Sequence, residues 1–155
     1  MSSFNIGKYS AEIIKPSSTM PKRIENFLKK IDKNFYEPLS TRVNLKDYSE
    51  KLAEKATNIF LMLSLNDVAH TAIYNLDNQS KIFVSNFGVV SRHQGKGIGN
   101  LLYKLVQNYA ADSKFLSIEL EADYRDANLI KFYKQRGFKK MSDYLLKRNL
   151  LLKTL

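Results

Sequence analysis

Apolar positions recur at helical spacing in four stretches of the chain and alternate, or run together, in most of the others. Ile24, Phe27, Leu28 and Ile31 predict a first helix, entered from the turn-forming KPSSTMP with Thr19 as N-cap and Pro21 in the first turn. Asn44, with Asp47 three residues later, opens a second helix that carries Leu45, Tyr48, Leu52 and Ala56. The clearest helix runs from Gly97 to Asp112. Ile98, Leu101, Leu102, Leu105, Val106 and Tyr109 fill one stripe of it, and Asn100, Lys104 and Gln107 line another. A fourth spans Asp126 to Arg136 and stops at Gly137.

Between the helices lie strands. Residues 5–14 predict one, and NIFLMLSL, VAHTAIYNL and KIFVSNFGVV, separated by LND and DNQS, predict an antiparallel three-strand meander. FLSIELEA at 115–122 alternates as a further strand, and FKKM with YLLKRNL closes a hairpin around Ser142 and Asp143. The order predicts an α/β fold: a mixed, largely antiparallel sheet of six to seven strands with about four helices on both faces. No repeat, low-complexity tract or Gly/Ser linker divides the chain, so one domain over residues 1–155 is expected.

Composition narrows the chemistry. The chain has no cysteine, which excludes a disulfide framework, a thiolate nucleophile and Cys-ligated metal, and points to the cytoplasm. Two histidines, His70 and His93, leave little for a transition-metal site, and no metal is expected. The longest apolar stretch, Ile59 to Leu65, is broken by Ser64 and too short to span a bilayer, and the N-terminus lacks the pattern of a signal peptide. The net charge of +10 raises nucleic acid, an anionic membrane or a phosphorylated ligand as partners. It is spread along the chain, with residues 1–56, 57–112 and 113–155 carrying +4, +1 and +5, and no contiguous basic arm.

The most informative segment is Gln94-Gly95-Lys96-Gly97-Ile98-Gly99, where a strand runs straight into the amphipathic helix. Glycines at 95, 97 and 99 permit unusual backbone angles and close approach, and the free N–H groups of a helix start favour an anion. A dinucleotide fingerprint fits worse, because Asn100 stands where it needs glycine; a P-loop fits worse too, because Gly97 follows Lys96 in place of Ser or Thr. Gln94, Gly97 and Gly99 match the acyl-CoA loop Q/R-x-x-G-x-G/A of the GNAT superfamily of N-acyltransferases, which the chain resembles. Phe132, Tyr133, Gly137 and Phe138 are similar to that superfamily's helix ending F-Y-x-x-x-G-F. The resemblance covers about residues 57–150, and implies a GNAT-type sheet and acetyl-CoA as acyl donor.

By that resemblance, the pyrophosphate would rest on the backbone of residues 94–99, including Lys96 and Ile98, and Phe87 and Val89 would offer backbone groups to the pantetheine arm. Tyr133 would protonate the departing thiolate, a transfer consistent with a phenol pKa near about 10 and a thiol pKa of about 8.5 or somewhat above. A backbone N–H near Val89 would hold the oxyanion. The superfamily commonly has Asn seven residues before the motif tyrosine; Asp126 stands there, either touching the coenzyme or capping the helix. Glu119 and Glu121, His70, and Arg92 with His93 are candidates for a base or for contacts at the turn, and each fits an ordinary packing or surface role as well.

The expected activity is direct transfer of acetyl to a primary amine in a ternary complex. The resemblance implies that the FYEPLSTRVNLKDYSEKL region would line one wall of the acceptor cleft and favours an amino sugar or amino acid as acceptor, and the positive field favours a phosphorylated acceptor over a polyamine. Alternatives are transfer to aminoacyl-tRNA, with Lys139, Lys140, Lys147 and Arg148 on phosphates, transfer to a protein or peptide amine, or a non-catalytic acyl-CoA-binding module. A homodimer is implied only by analogy with similar folds.

Overall fold

Residues 2–150 are described by the computed structural model. The first departure from the sequence pattern lies at its start. In place of one strand over 5–14 there are two, β1 (Ser2–Ile6) and β2 (Tyr9–Ile14), folded back at Gly7–Lys8 with Ile6 opposite Tyr9. A two-residue turn with a single glycine is a weak signal in so short a stretch.

Helix α1 (Pro21–Ile31) starts with proline at its first position as expected, but Thr19 is not its cap. The Ser17 hydroxyl accepts the Thr19 N–H at 3.1 Å and lies 2.6 Å from the Thr19 hydroxyl, so both Thr19 groups are engaged before the helix begins. Met20, in the left-handed region at φ 67°, makes the turn instead. Helix α2 (Leu45–Lys55) is capped as the sequence predicts, with the Asp47 N–H donating to Asn44 Oδ1 at 3.0 Å.

The predicted meander forms as β3 (Thr57–Leu63), β4 (Asn66–Leu76) and β5 (Lys81–Val89), all antiparallel. After α3 (Ile98–Asp112), strand β6 (Ser117–Glu121) pairs parallel to β5. Helix α4 (Ala127–Lys134) and the hairpin of β7 (Lys139–Lys140) and β8 (Leu145–Asn149) complete the chain. The sheet has eight strands in the order β1-β2-β3-β4-β5-β6-β8-β7, one more than the upper expectation because the first strand is two.

Apolar side chains of α1 and α2 pack with Phe60 and Ala72 on one face. Those of α3 and α4 pack with Ile59, Ile82, Ile118 and Leu120 on the other. Tyr103, outside the apolar stripe of the sequence reading, is also buried, with its ring edge-on to Phe138 and its hydroxyl accepting from Arg148.

One irregularity positions everything that follows. The β5/β6 pairing ends at Val84↔Leu120, and the next residue, Ser85, is extra in the β4/β5 ladder, whose register steps from Ile73↔Val84 to Ala72↔Asn86. A bulge bends the strand that carries it. Beyond it β5 stays on β4 and β6 ends, opening a V between the two parallel strands.

Candidate functional site

The V opens into a cleft of about 500 Å³. Its floor comes from Val84 to Phe87 on β5 and from Leu120 and Glu121 on β6; one wall comes from the α1–α2 connection, residues 35–42, and the other from residues 122–126 with Leu129 and Tyr133 of α4. The region expected from resemblance to wall the cleft thus supplies Phe35, Tyr36, Glu37, Leu39 and Arg42 to it.

Register determines what β5 offers to the cleft. The Val90 N–H donates to Val68 O at 2.9 Å across Ala69↔Val89, which makes that couple a non-hydrogen-bonded pair. The N–H and C=O of Val89, and of Phe87 two residues earlier, therefore point away from β4, toward the side that β6 has left. The Val89 carbonyl accepts from Asn34 Nδ2 at 3.0 Å and from Gln94 Nε2 at 3.1 Å. Its N–H faces the opening.

Past Val89 the chain enters the turn singled out by sequence. Gly95 and Gly97 lie in the left-handed region at φ 77° and 81°, which side-chain-bearing residues rarely adopt. Gly99 is an ordinary helical residue, and a Cβ there would meet Phe132 at 3.7 Å, so neither backbone angle nor packing inside the protein demands glycine at that position. The first intrahelical bond of α3 runs from Leu101 N to Gly97 O at 3.0 Å, leaving the N–H groups of Ile98, Gly99 and Asn100 without helical acceptors. Ile98 is buried and anchors the helix start, while Gln94 and Lys96 are exposed. His93 is drawn below its ordinary pKa, first by partial desolvation and then by Lys96, Arg92 and Lys8.

Tyr133 lines the cleft from the α4 side and is only 3% exposed. Phe87, Phe132 and Phe138 surround its ring at 6.0, 5.2 and 5.3 Å between centroids. Burial, with a smaller contribution from Tyr103, holds its pKa far above the usual tyrosine range, so it keeps its proton throughout the neutral region. Asp126 caps α4: the Leu129 N–H donates to its Oδ1 at 3.1 Å, and the residue also lines the cleft.

The structure separates the two strand carboxylates. Glu119 is buried and paired with Lys81 Nζ at 2.5 Å; Glu121, at the last position of β6, is exposed to the cleft. His70 is fully buried between Phe27 and Phe60. Asn58 spends its amide hydrogens on Leu52 O and Ala56 O, so its Oδ1 must accept from His70 Nε2 at 2.8 Å; Nδ1 then accepts from Asn86 Nδ2 at 3.1 Å. Desolvation drops the histidine pKa to about 3, with a smaller push from Arg23. This histidine is neutral, structural and outside the cleft lining.

The cleft walls contain residues that local sequence patterns did not single out. Arg125 donates to Asp123 Oδ2 at 2.6 Å and to Glu37 Oε1 at 2.9 Å, and its guanidinium lies 4.4 Å from the centre of the Tyr36 ring. Tyr48 shares a 2.8 Å hydrogen bond with the Ser85 hydroxyl at the bulge. Of the basic residues considered for nucleic acid, Arg148 is engaged inside the protein with Tyr103 and Gln107, at 2.6 and 3.2 Å.

Comparison with known proteins gives one direction. A family model described as acetyltransferase (GNAT) family matches residues 24–138. A Drosophila melanogaster protein described as probable N-acetyltransferase san is 33% identical over 67 residues, which are 43% of this chain and 36% of that protein, so the match spans about a third of that relative's length. Among solved structures, the ribosomal-protein-S18-alanine N-acetyltransferase of Escherichia coli superposes with a TM-score of 0.73 at 14% identity, over 93% of this chain and 96% of that one. The PaiA N-acetyltransferase of Thermoplasma acidophilum, solved with coenzyme A, gives 0.68 at 13% identity, over 90% and 99%. At these identities, the superpositions speak to the fold.

Proposed function

The chain belongs to the acetyltransferase (GNAT) family, and from that premise we propose that it transfers an acetyl group from acetyl-CoA directly to a primary amine. The observation that carries the reading is the opening between β5 and β6, with unpaired backbone groups on one side and a buried, protonated tyrosine on the other. The site fits the donor substrate. The outward N–H and C=O of Phe87, with the N–H of Val89, suit an extended amide-bearing arm, and the free N–H groups at the start of α3 suit a pyrophosphate. The donor supplies the activated acyl carbon; the chain supplies orientation and proton management.

In this reading an acceptor ammonium loses one proton to Glu121 and attacks the thioester carbon. A C–N bond forms, the C–S bond breaks, and the nitrogen sheds a second proton. An outward backbone N–H of β5 near Val89 is offered to the oxygen on which charge develops. Tyr133 gives its proton to the leaving sulfur and recovers one from solvent, so the net products are amide, thiol and one proton. Glu121 is the base of choice because Glu119 is committed to Lys81, Asp123 to Arg125, and Asp126 to the helix cap. The cysteine-free composition supports a cytoplasmic setting.

The test is thiol release from acetyl-CoA against a panel of amino sugars, amino acids, polyamines and peptides. Tyr133→Phe is expected to lower kcat by about 10²-fold or more while leaving acetyl-CoA affinity within about twofold. Equal turnover in the two proteins would remove Tyr133 from the reaction. Failure of acetyl-CoA to bind would remove the reading itself.

A further inference from the structure

The acceptor end of the cleft has the opposite sign to the molecule. Carboxylates of Glu37, Glu121, Asp123 and Asp126 line it with the guanidiniums of Arg42 and Arg125, four against two, in a chain whose net charge is +10. Arg125 is held by two of the carboxylates, Asp123 and Glu37, which leaves Arg42 as the other cationic side chain of the lining. The Arg125 guanidinium keeps Asp123 ionised, its pKa held down at about 2.

Two independent observations mark this end as a binding place. Tyr133, a polar side chain only 3% exposed, lines it from the α4 side. Its rim carries three half-exposed aromatic rings, Tyr36, Tyr124 and Tyr144, which are 56%, 57% and 52% exposed. The rim already holds one cation: the Arg125 guanidinium lies over Tyr36 at 4.4 Å with a carboxylate on each side, the arrangement that binds a cationic ligand elsewhere.

Resting on the acetyltransferase reading, we propose that this cleft selects an acceptor amine whose body is neutral or positively charged, and rejects amines that also bear a carboxylate or phosphate. The whole-chain charge argues the other way, toward a phosphorylated acceptor, but its sources are spread over the surface and are screened beyond about 8 Å at physiological salt. A bound acceptor meets the cleft's own carboxylates at contact distance. The positive field and the negative cleft serve different substrates: the first draws in the phosphorylated donor, the second sorts the amines.

The experiment compares kcat/KM, by thiol release from acetyl-CoA, within three matched pairs: putrescine against γ-aminobutyrate, glycinamide against glycine, and glucosamine against glucosamine phosphate. The non-anionic member is expected to win by about tenfold or more at low salt, and the margin is expected to narrow at about 0.5 M salt. Glu37→Gln, which lowers the local negative charge and loosens Arg125, is expected to narrow it about threefold. Equal or reversed preference in the pairs overturns the proposal. Where no pair turns over although acetyl-CoA binds, calorimetry of the coenzyme-A-loaded protein with the same pairs is the readout. The same ranking supports the proposal, and binding by neither member of any pair overturns it. Absence of acetyl-CoA binding strikes the acetyltransferase reading instead, so the two failures are distinguishable.

Discussion

The two ends of the cleft are made of different materials. The end proposed for the coenzyme is a continuous stretch, Phe87 to Gly99, and it works through backbone: outward groups on β5, two glycines at positive φ, and three unpaired N–H groups at a helix start. The acceptor end is assembled from side chains far apart in the chain, with the Glu37–Arg125 bond joining residues 88 positions apart. The contrast has a functional consequence. Backbone recognition depends on conformation and tolerates few substitutions at the turn, whereas side-chain recognition can be retuned without disturbing the other end. One fold can thus keep its donor and change its acceptor.

Gly97→Val tests the backbone end most severely. The left-handed conformation at φ 81° is strained by about 1–3 kcal/mol for other residues, more for a β-branched one, so acetyl-CoA affinity measured by calorimetry is expected to fall by about tenfold or more. The acceptor KM should stay within about twofold; a change in both would break the separation of the two ends.

The His70 network ties β3, β4 and β5 together. A histidine pKa lowered from about 6.5 in the unfolded chain to about 3 means that the unfolded state binds more protons between those values, so stability is full above about pH 6.5 and falls as the pH drops. Urea denaturation should lose about 1.4 kcal/mol per pH unit below about pH 6 from this group. His70→Leu should be less stable at neutral pH, because Asn86 and Asn58 lose partners, and should lack that slope; an unchanged slope would show that other groups carry it.

Arg125→Ala removes the tie between the two acceptor walls. The expected result is an acceptor KM raised about three- to tenfold with acetyl-CoA affinity unchanged, and partial recovery with Arg125→Lys, which keeps the charge but not the paired geometry. Lys96→Ala, an exposed charge beside a site built of backbone, should weaken acetyl-CoA binding by about twofold and no more. A tenfold loss would mean that the turn relies on side-chain charge after all.

The same contrast explains how much was legible in the sequence. Helix α3, its glycine turn, the Asn44 cap and the meander are local patterns, and each formed where its residues predict. Asp126 had two open roles, and its cap bond answers one of them. What escaped reading depends on contacts between distant segments. Ser17 satisfied Thr19, and a two-residue turn at Gly7–Lys8 split the single strand that residues 5–14 predict. Tyr103 went inside because Arg148 supplied its hydroxyl with a partner. The opening of the sheet itself rests on one supernumerary residue, Ser85, in a strand that otherwise reads as regular. Glu119 and Glu121 are indistinguishable by alternation, and only Lys81 on the neighbouring strand tells them apart.

The doubly occupied carbonyl of Val89 carries a consequence for direction. With Asn34 and Gln94 both donating to it, this residue has only a hydrogen left to give toward the cleft. An extended molecule laid along β5 can alternate giving and receiving at Phe87, but at Val89 it must present a lone pair. On the proposed reading, an arm leaving the anion-binding turn passes Val89 before Phe87, so its first contact on β5 is one at which it can only receive a hydrogen. The strand thus gives a direction to whatever lies along it: an oxygen beside the turn, and an exchange in both senses only deeper, where Phe87 lines the cleft.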